Sequence, residues 1–195
     1  MAFAAVDLKE DIWTYQDYLH LPDDGKTYQI IGGELIMAPA PSLSHQGVSR
    51  NLEFIIWNFV KRHNLGEVFD APVDVIFSQV NVAQPDIVYI SSSRLNKLKE
   101  KGVFGAPDWV IEILSPSTSD MDLRLKHQLY QRFGVREYWI VDPTEKQVEV
   151  YLLQGGGYIL KGLFLEKDTV EVETIKGLKI SLEEVFVRDR GRSKR

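Results

Sequence analysis

Glu112 stands in an awkward place. It lies between Ile111 and Ile113 in the run "DWVIEIL" (108–114), which otherwise reads as a buried strand. An unpaired ionised group in an apolar layer costs on the order of several kcal/mol, so something must offset it. A second acid, Asp86, sits in "AQPDIVYI" (83–90). Side chains alternate along a strand, so Asp108, Val110, Glu112 and Leu114 share one face, and Gln84, Asp86, Val88 and Ile90 share another. If these runs are neighbours, both acids project from the same side of one sheet. Adjacent carboxylates repel unless a proton or a cation lies between them. A hard divalent ion such as Mg²⁺ takes oxygen ligands of this kind and would supply the missing compensation.

A cationic group belongs to the same constellation. In "MDLRLKHQLYQRF" (121–133), Met121, Leu125, Leu129 and Phe133 recur every four residues as a buried helical stripe. Asp122, Lys126 and Tyr130 recur at the same spacing. At about 100° per residue they run along the edge of that stripe rather than on the far face. Lys126 would lean over the sheet beside the acids, and Asp122 would fix its amine by an (i, i+4) pair. Tyr130 would hydrogen-bond at the rim.

The elements that must position these groups can be read in order. "DIWTYQDYLHLP" (11–22) predicts a short amphipathic helix, and "YQIIGGELIMAP" (28–39) a hairpin turning at Gly32-Gly33. A long helix follows, with Ser42 or Ser44 as its cap, Val48, Leu52, Ile55, Ile56 and Phe59 at helical spacing, and Gly66 after a basic last turn. Three strand-like runs come next, "EVFDAPVDVIF", "VAQPDIVYI" and "DWVIEIL". Then come the Lys126 helix closed by Gly134, the strand "EYWIVDP", and a late hairpin around Gly155-Gly156-Gly157. This order predicts the α/β class, a mixed central sheet with helices packed against it.

These motifs resemble the PD-(D/E)XK nuclease superfamily. More narrowly, "GELIMAPAPSLSHQ", "VFDAPVDV", "QPDIVYIS", "APDWVIEILSPST", "DLRLKHQLY" and "VREYWIVDP", in that order, look like the Uma-two family of restriction-endonuclease-fold proteins. The resemblance spans roughly residues 13 to 153. It implies a restriction-endonuclease-like α-β-β-β-α-β core, with an N-terminal hairpin and a C-terminal β-hairpin extension. It also implies Mg²⁺ or Mn²⁺ held by Asp86 and Glu112, with a backbone carbonyl near Ile113, and DNA as the substrate. The superfamily's usual lysine would fall two residues after Glu112, where Leu114 stands, and Lys126 matches the position to which that lysine migrates onto the next helix. His45 and Gln46 form the "HQ" typical of the family, which places them near the site. A helix-terminal hydrogen bond explains His45 equally well. Lys126 beside an apolar stripe also has a plain reading, as a snorkelling surface lysine. Glu34 reads as an exposed hairpin residue, and Phe54, Trp57 and Phe59 as core or an oligomer surface.

Composition bounds the rest. With 195 residues, 44% hydrophobic and 26% charged, the chain reads as a single domain over 1–195. Its core covers about 13–153, a β-rich extension 147–187, and a basic tail 188–195 that reads as a solvated, disordered terminus. Having no cysteine excludes disulfides, thiolate nucleophiles and cysteine-ligated zinc. No run approaches the roughly 20 apolar residues of a membrane span, and the N-terminus lacks the basic start of a signal peptide. A cytoplasmic protein with no membrane partner is expected. The net charge of −5 argues against coating nucleic acid by bulk electrostatics. The leading expectation is a metal-dependent DNA endonuclease. The alternative is a weak or inactive nuclease-fold module that binds nucleic acid or protein, and either could form a homodimer through the late hairpin (147–165).

Overall fold

Two prolines decide how the strands are shared out. The structure, a computed structural model, describes residues 12–38, 41–115 and 120–187, without the side chains of 38 and 120–122. Asp122 and the tail 188–195 therefore lie outside what is described. The runs 67–77 and 82–90, each expected as one strand, are each broken. The first gives β3 (Gly66–Asp70) and β4 (Val75–Ser78), and the second gives β5 (Asn81–Ala83) and β6 (Ile87–Ser91). Pro72 and Pro85 fall in the gaps. Proline has no N–H to give to a ladder, so the chain leaves one sheet there and enters another.

Among the described residues, β3 and β6 join β9 (Trp109–Ile113), β10 (Glu137–Asp142), β11 (Gln147–Gln154) and β12 (Gly157–Leu165) in a central sheet of order β12-β11-β10-β9-β6-β3. Only β9 and β10 run parallel, and α3 (Asp120–Phe133) makes that crossover. With α2 (Leu43–His63) ahead of β3, the order is α2-β3-β6-β9-α3-β10, the expected α-β-β-β-α-β arrangement. A second sheet collects the N-terminal hairpin, β1 (Thr27–Ile31) and β2 (Glu34–Ala38), with β5, β4, β8 (Gly102–Phe104) and β7 (Leu98–Lys99).

Alternation sorts the core as the sequence predicts. Ile87, Tyr89, Trp109, Ile111, Ile113 and Trp139 pack against Val48, Leu52, Ile56 and Val60 of α2. Val88, Ile90, Val110 and Tyr138 face Leu129 and Tyr130 of α3, together with Val75 and Phe77 of the second sheet. A C-terminal extension of β13 (Thr169–Glu171), β14 (Lys179–Ser181) and α4 (Leu182–Phe186) completes the first core. It is tied in by Glu137, which is fully buried and accepts from Trp139 Nε1 and from the backbone and hydroxyl of Thr174.

Two helix boundaries differ from the sequence expectation. The helix expected over 11–22 is one turn, α1 (Tyr15–Tyr18). Thr14 and Asp17 form a capping box that starts it, and the Trp13 N–H is already spent on the Gly33 carbonyl. Ser42 caps α2, as expected of it or Ser44, by accepting from His45 N–H. Its end is made by Asn64 in the left-handed region (φ 53°), not by Gly66. Gly66 serves a different need, because a Cβ there would meet the Ile90 carbonyl oxygen at 2.0 Å.

Asp108, 1% exposed, holds the entry to β9. It accepts from Ser91 N–H (2.9 Å) and Arg94 (2.6 Å), with Arg136 at 3.2 Å. Burial alone would raise its pKa, but these donors and the Arg94 charge hold it below the ordinary carboxylate value. A depressed folded value means the stabilisation is complete above the unfolded pKa of about 3.9 and is lost as pH falls through the folded one. Asp108→Asn should therefore cost about 2 kcal/mol at pH 7. In thermal melts the gap between wild type and variant should close as pH drops below about 4. A gap that stays constant down to pH 2 would refute this account.

Candidate active site

The register of β6 and β9 brings the two acids together. Ile87 pairs with Ile111 and Val88 with Val110, so one further step sets Asp86 across from Glu112. Cross-strand partners project to the same side of a sheet. Asp86 lies just before β6, at the crossing marked by Pro85, where its carbonyl accepts from Ala71 N–H. Its carboxylate is clasped from two directions. Oδ2 accepts from the Ile113 N–H at 2.7 Å, and Oδ1 lies 3.0 Å from Nε2 of His45 at the start of α2.

Glu112 lies deeper. Lys126 Nζ donates to Oε2 at 2.8 Å and the Tyr130 hydroxyl to Oε1 at 2.5 Å. Glu112 and Lys126 are each 5% exposed and Tyr130 is fully buried, packed against Phe77 and Tyr138. Lys126 and Tyr130 were expected at the edge of the α3 stripe, yet they lie deeper than Leu125 and Phe133, which are half-buried. The acid on β9 draws them inward, because a buried carboxylate needs both a counter-charge and a donor. Burial raises the Glu112 pKa and the Asp86 charge raises it further, against the lowering effects of Lys126 and Tyr130. Burial alone would lower His45, but its hydrogen bond to Asp86 and the charges of Asp86 and Glu112 leave it raised.

All of these groups except Tyr130 line one cleft of about 690 Å³. Its floor holds Asp86, Glu112, Ile113 and Lys126, with Asp70 and Pro72 beside them. One wall is α2, carrying His45, Gln46, Ser49, Arg50 and Glu53, and the other is the hairpin β1–β2 through Thr27, Gln29, Ile36 and Met37. Gln46 is present as expected and exposed, and Leu114 borders the cleft half-buried. Glu34 is exposed, as read. Sequence reasoning missed Ser49, Arg50 and Glu53. The signal was available, since Ser49 and Glu53 follow His45 and Arg50 follows Gln46 at four-residue steps along the same helix.

The donor set suits a hard cation. Asp86 and Glu112 offer carboxylate oxygens to the cleft, each with a second lone-pair site beyond its present bond. Among the described residues no cluster of three or more His, Asp or Glu is arranged to hold an ion. Mg²⁺ needs fewer protein ligands than that, typically one or two carboxylates, with water and substrate phosphate completing its shell.

A family profile described as "Putative restriction endonuclease", Uma2, matches residues 15–183. The chain belongs to the Uma2 family. The crystal structure of a putative nuclease belonging to DUF820, from Anabaena variabilis ATCC 29413, is similar to it with a TM-score of 0.75 at 25% identity. The match covers 89% of this Uma2 chain and 97% of that one. None of the curated proteins compared matches. The Uma2 fold is thus the restriction-endonuclease-like mixed α/β fold that the sequence motifs implied.

The buried pair of this Uma2 protein is a poor investment in stability alone. Lys126→Met strands Glu112 and should lower stability by about 3 kcal/mol. Adding Glu112→Leu and Tyr130→Phe should restore most of that loss, because apolar groups of similar volume replace a buried ion pair at little cost. Denaturant melts of the single and triple variants check this, and a triple variant no more stable than the single one would contradict it.

Proposed function

We propose that this protein is a metal-dependent DNA endonuclease that hydrolyses phosphodiester bonds in the cleft floored by Asp86, Glu112 and Lys126. The observation that carries this reading is the convergence of a carboxylate at the start of β6, a second on the adjacent β9 and the amine of Lys126 from α3. It is supported by membership of a family described as "Putative restriction endonuclease" and by likeness to a protein described as a "putative nuclease".

In this reading Asp86 and Glu112 hold Mg²⁺ or Mn²⁺. Bound there, the ion supplies Lewis acidity to the scissile phosphate and lowers the pKa of the attacking water. The protein's own groups do the rest. The Ile113 N–H and His45 fix the two oxygens of Asp86, so the ligand is oriented before substrate arrives. Tyr130 fixes Glu112 from its buried side. The Lys126 amine, beside the acids, stabilises the additional negative charge on the phosphoryl oxygens. The exposed Gln46 and Arg50 on the α2 wall contact the flanking backbone.

One feature favours a second reading, a nuclease-fold module that binds nucleic acid without cutting it. Leu114 occupies the position two residues after Glu112 where the superfamily lysine is expected. The two readings separate in one experiment. Plasmid and single-stranded DNA are incubated with Mg²⁺ or Mn²⁺ and with chelator, using wild type, Asp86→Asn, Glu112→Gln and Lys126→Ala. The endonuclease reading expects cleavage that chelator abolishes and that each substitution lowers about a thousandfold. It also expects calorimetric Mn²⁺ binding to weaken in Asp86→Asn. Metal-independent binding with no cleavage supports the inert module, and cleavage unchanged in all three variants sinks the assignment.

A further inference from the structure

The wall that α2 gives to the cleft continues past the cleft's end. At about 100° per residue, Gln46, Arg50, Glu53 and Trp57 fall within one sector of about 60°. The first three line the cleft. Trp57 extends the same wall one turn beyond Glu53, and Phe54 and Lys61 stand alongside it. Phe54 is 62% exposed and Trp57 38%, so of the three aromatic residues read as core or an oligomer surface only Phe59 packs against the core.

Charge decides what this face suits. The chain carries a formal −5, yet α2 holds Arg50, Lys61 and Arg62 against Glu53, its one acid. Glu53 is half-buried and turned to the cleft. Lys61 Nζ lies 4.3 Å from the centroid of the Trp57 ring. Among the described residues neither Lys61 nor Arg50 has a carboxylate partner. Two cations without counter-charges thus bracket two exposed rings along about 16 Å of helix. A second copy fits this pattern poorly. Positions 50 and 61 are centred on the same point as 54 and 57, so α2 packed on itself about a two-fold there would set Arg50 of each copy against Lys61 of the other. Like charges so placed oppose association. A polyanion meets the opposite condition, with phosphates on the cations and bases on the rings.

We propose that Phe54 and Trp57, flanked by Arg50 and Lys61, form a stacking platform that holds the unpaired bases of a nucleic-acid strand where it leaves the cleft. This rests on the nucleic-acid reading of the cleft and adds that the strand beyond it is single. Bases in a duplex are stacked on one another and offer only their edges, whereas an unpaired base has a free face for an aromatic ring.

The test measures binding in chelator, where no metal-dependent cleavage occurs. Anisotropy of fluorescein-labelled single-stranded and duplex 20-mers is followed with full-length wild type, Phe54→Ala/Trp57→Ala, Phe54→Tyr/Trp57→Phe and Lys61→Gln, each checked for folding by circular dichroism. At the lower end of the usual range for base–aromatic stacking, losing both rings weakens single-strand binding at least about thirtyfold. Duplex binding should change less than about twofold, and the Tyr/Phe pair should restore most of the single-strand affinity. The alanine pair is expected to leave the slope of log Kd against log salt unchanged, and Lys61→Gln to reduce it by about 0.7. Single-strand affinity that survives the alanine pair overturns the platform, as does an equal loss on duplex or a wild type that binds no single strand. So does a wild-type dimer in sedimentation that the alanine pair splits, because the rings would then be covered by a second copy. Ring-dependent single-strand binding by a protein that cuts no DNA with Mg²⁺ or Mn²⁺ would defeat the hydrolytic reading alone. Cutting by a protein whose single-strand binding ignores the rings would defeat the platform alone.

Discussion

The bond between Lys126 and Glu112 is what the arrangement around the cleft depends on. Glu112 sits mid-sheet on β9, with β6 on one side and β10 on the other, so the backbone gives it no freedom to retreat toward water. A charge in that layer is tolerable only with its partners in place, and both partners come from α3. The requirement therefore fixes how α3 is rotated on the sheet. Lys126 and Tyr130 are buried along with Leu129, and Leu125 and Phe133 are left half-buried on the flank, not the order that hydrophobicity alone would choose. An apolar layer would be at least as stable. The rotation of the helix thus serves the carboxylate rather than the apolar stripe.

The second acid is held by a different principle. Asp86 lies where the chain passes from one sheet to the other, and a neighbouring strand's amide and an imidazole occupy its oxygens. Its position follows from backbone geometry rather than from a counter-charge, and it is the more exposed of the two acids. The site thus pairs one buried, cation-bound carboxylate with one shallower carboxylate oriented by hydrogen bonds.

Much of this was legible in the sequence because it follows from short periods. Strand alternation placed Asp86 with Val88 and Glu112 with Val110, and four-residue spacing tied Lys126 to Tyr130. The second relation holds in the structure, since both side chains bond Glu112. What stayed hidden depended on partners distant in the chain. Pro72 and Pro85 lie inside runs read as single strands, and no local pattern says that the residues before and after them belong to different sheets. The Ile113 N–H that clasps Asp86 is a backbone donor, which sequence cannot display. The helix expected over 11–22 failed for a similar reason. The Trp13 amide was needed by the hairpin at Gly33, and Thr14 could begin a helix only after it.

The two proline-marked crossings have a mechanical consequence. One wall of the cleft, the β1–β2 hairpin, belongs to the second sheet, and the opposite wall, α2, packs on the central one. Because the chain runs from one sheet to the other at Pro72 and back again at Pro85, covalent bonds at the cleft floor restrain how far the walls can part. The gauge of the groove is thereby set close to its base, and any occupant must match that gauge as it enters rather than wedge the layers open.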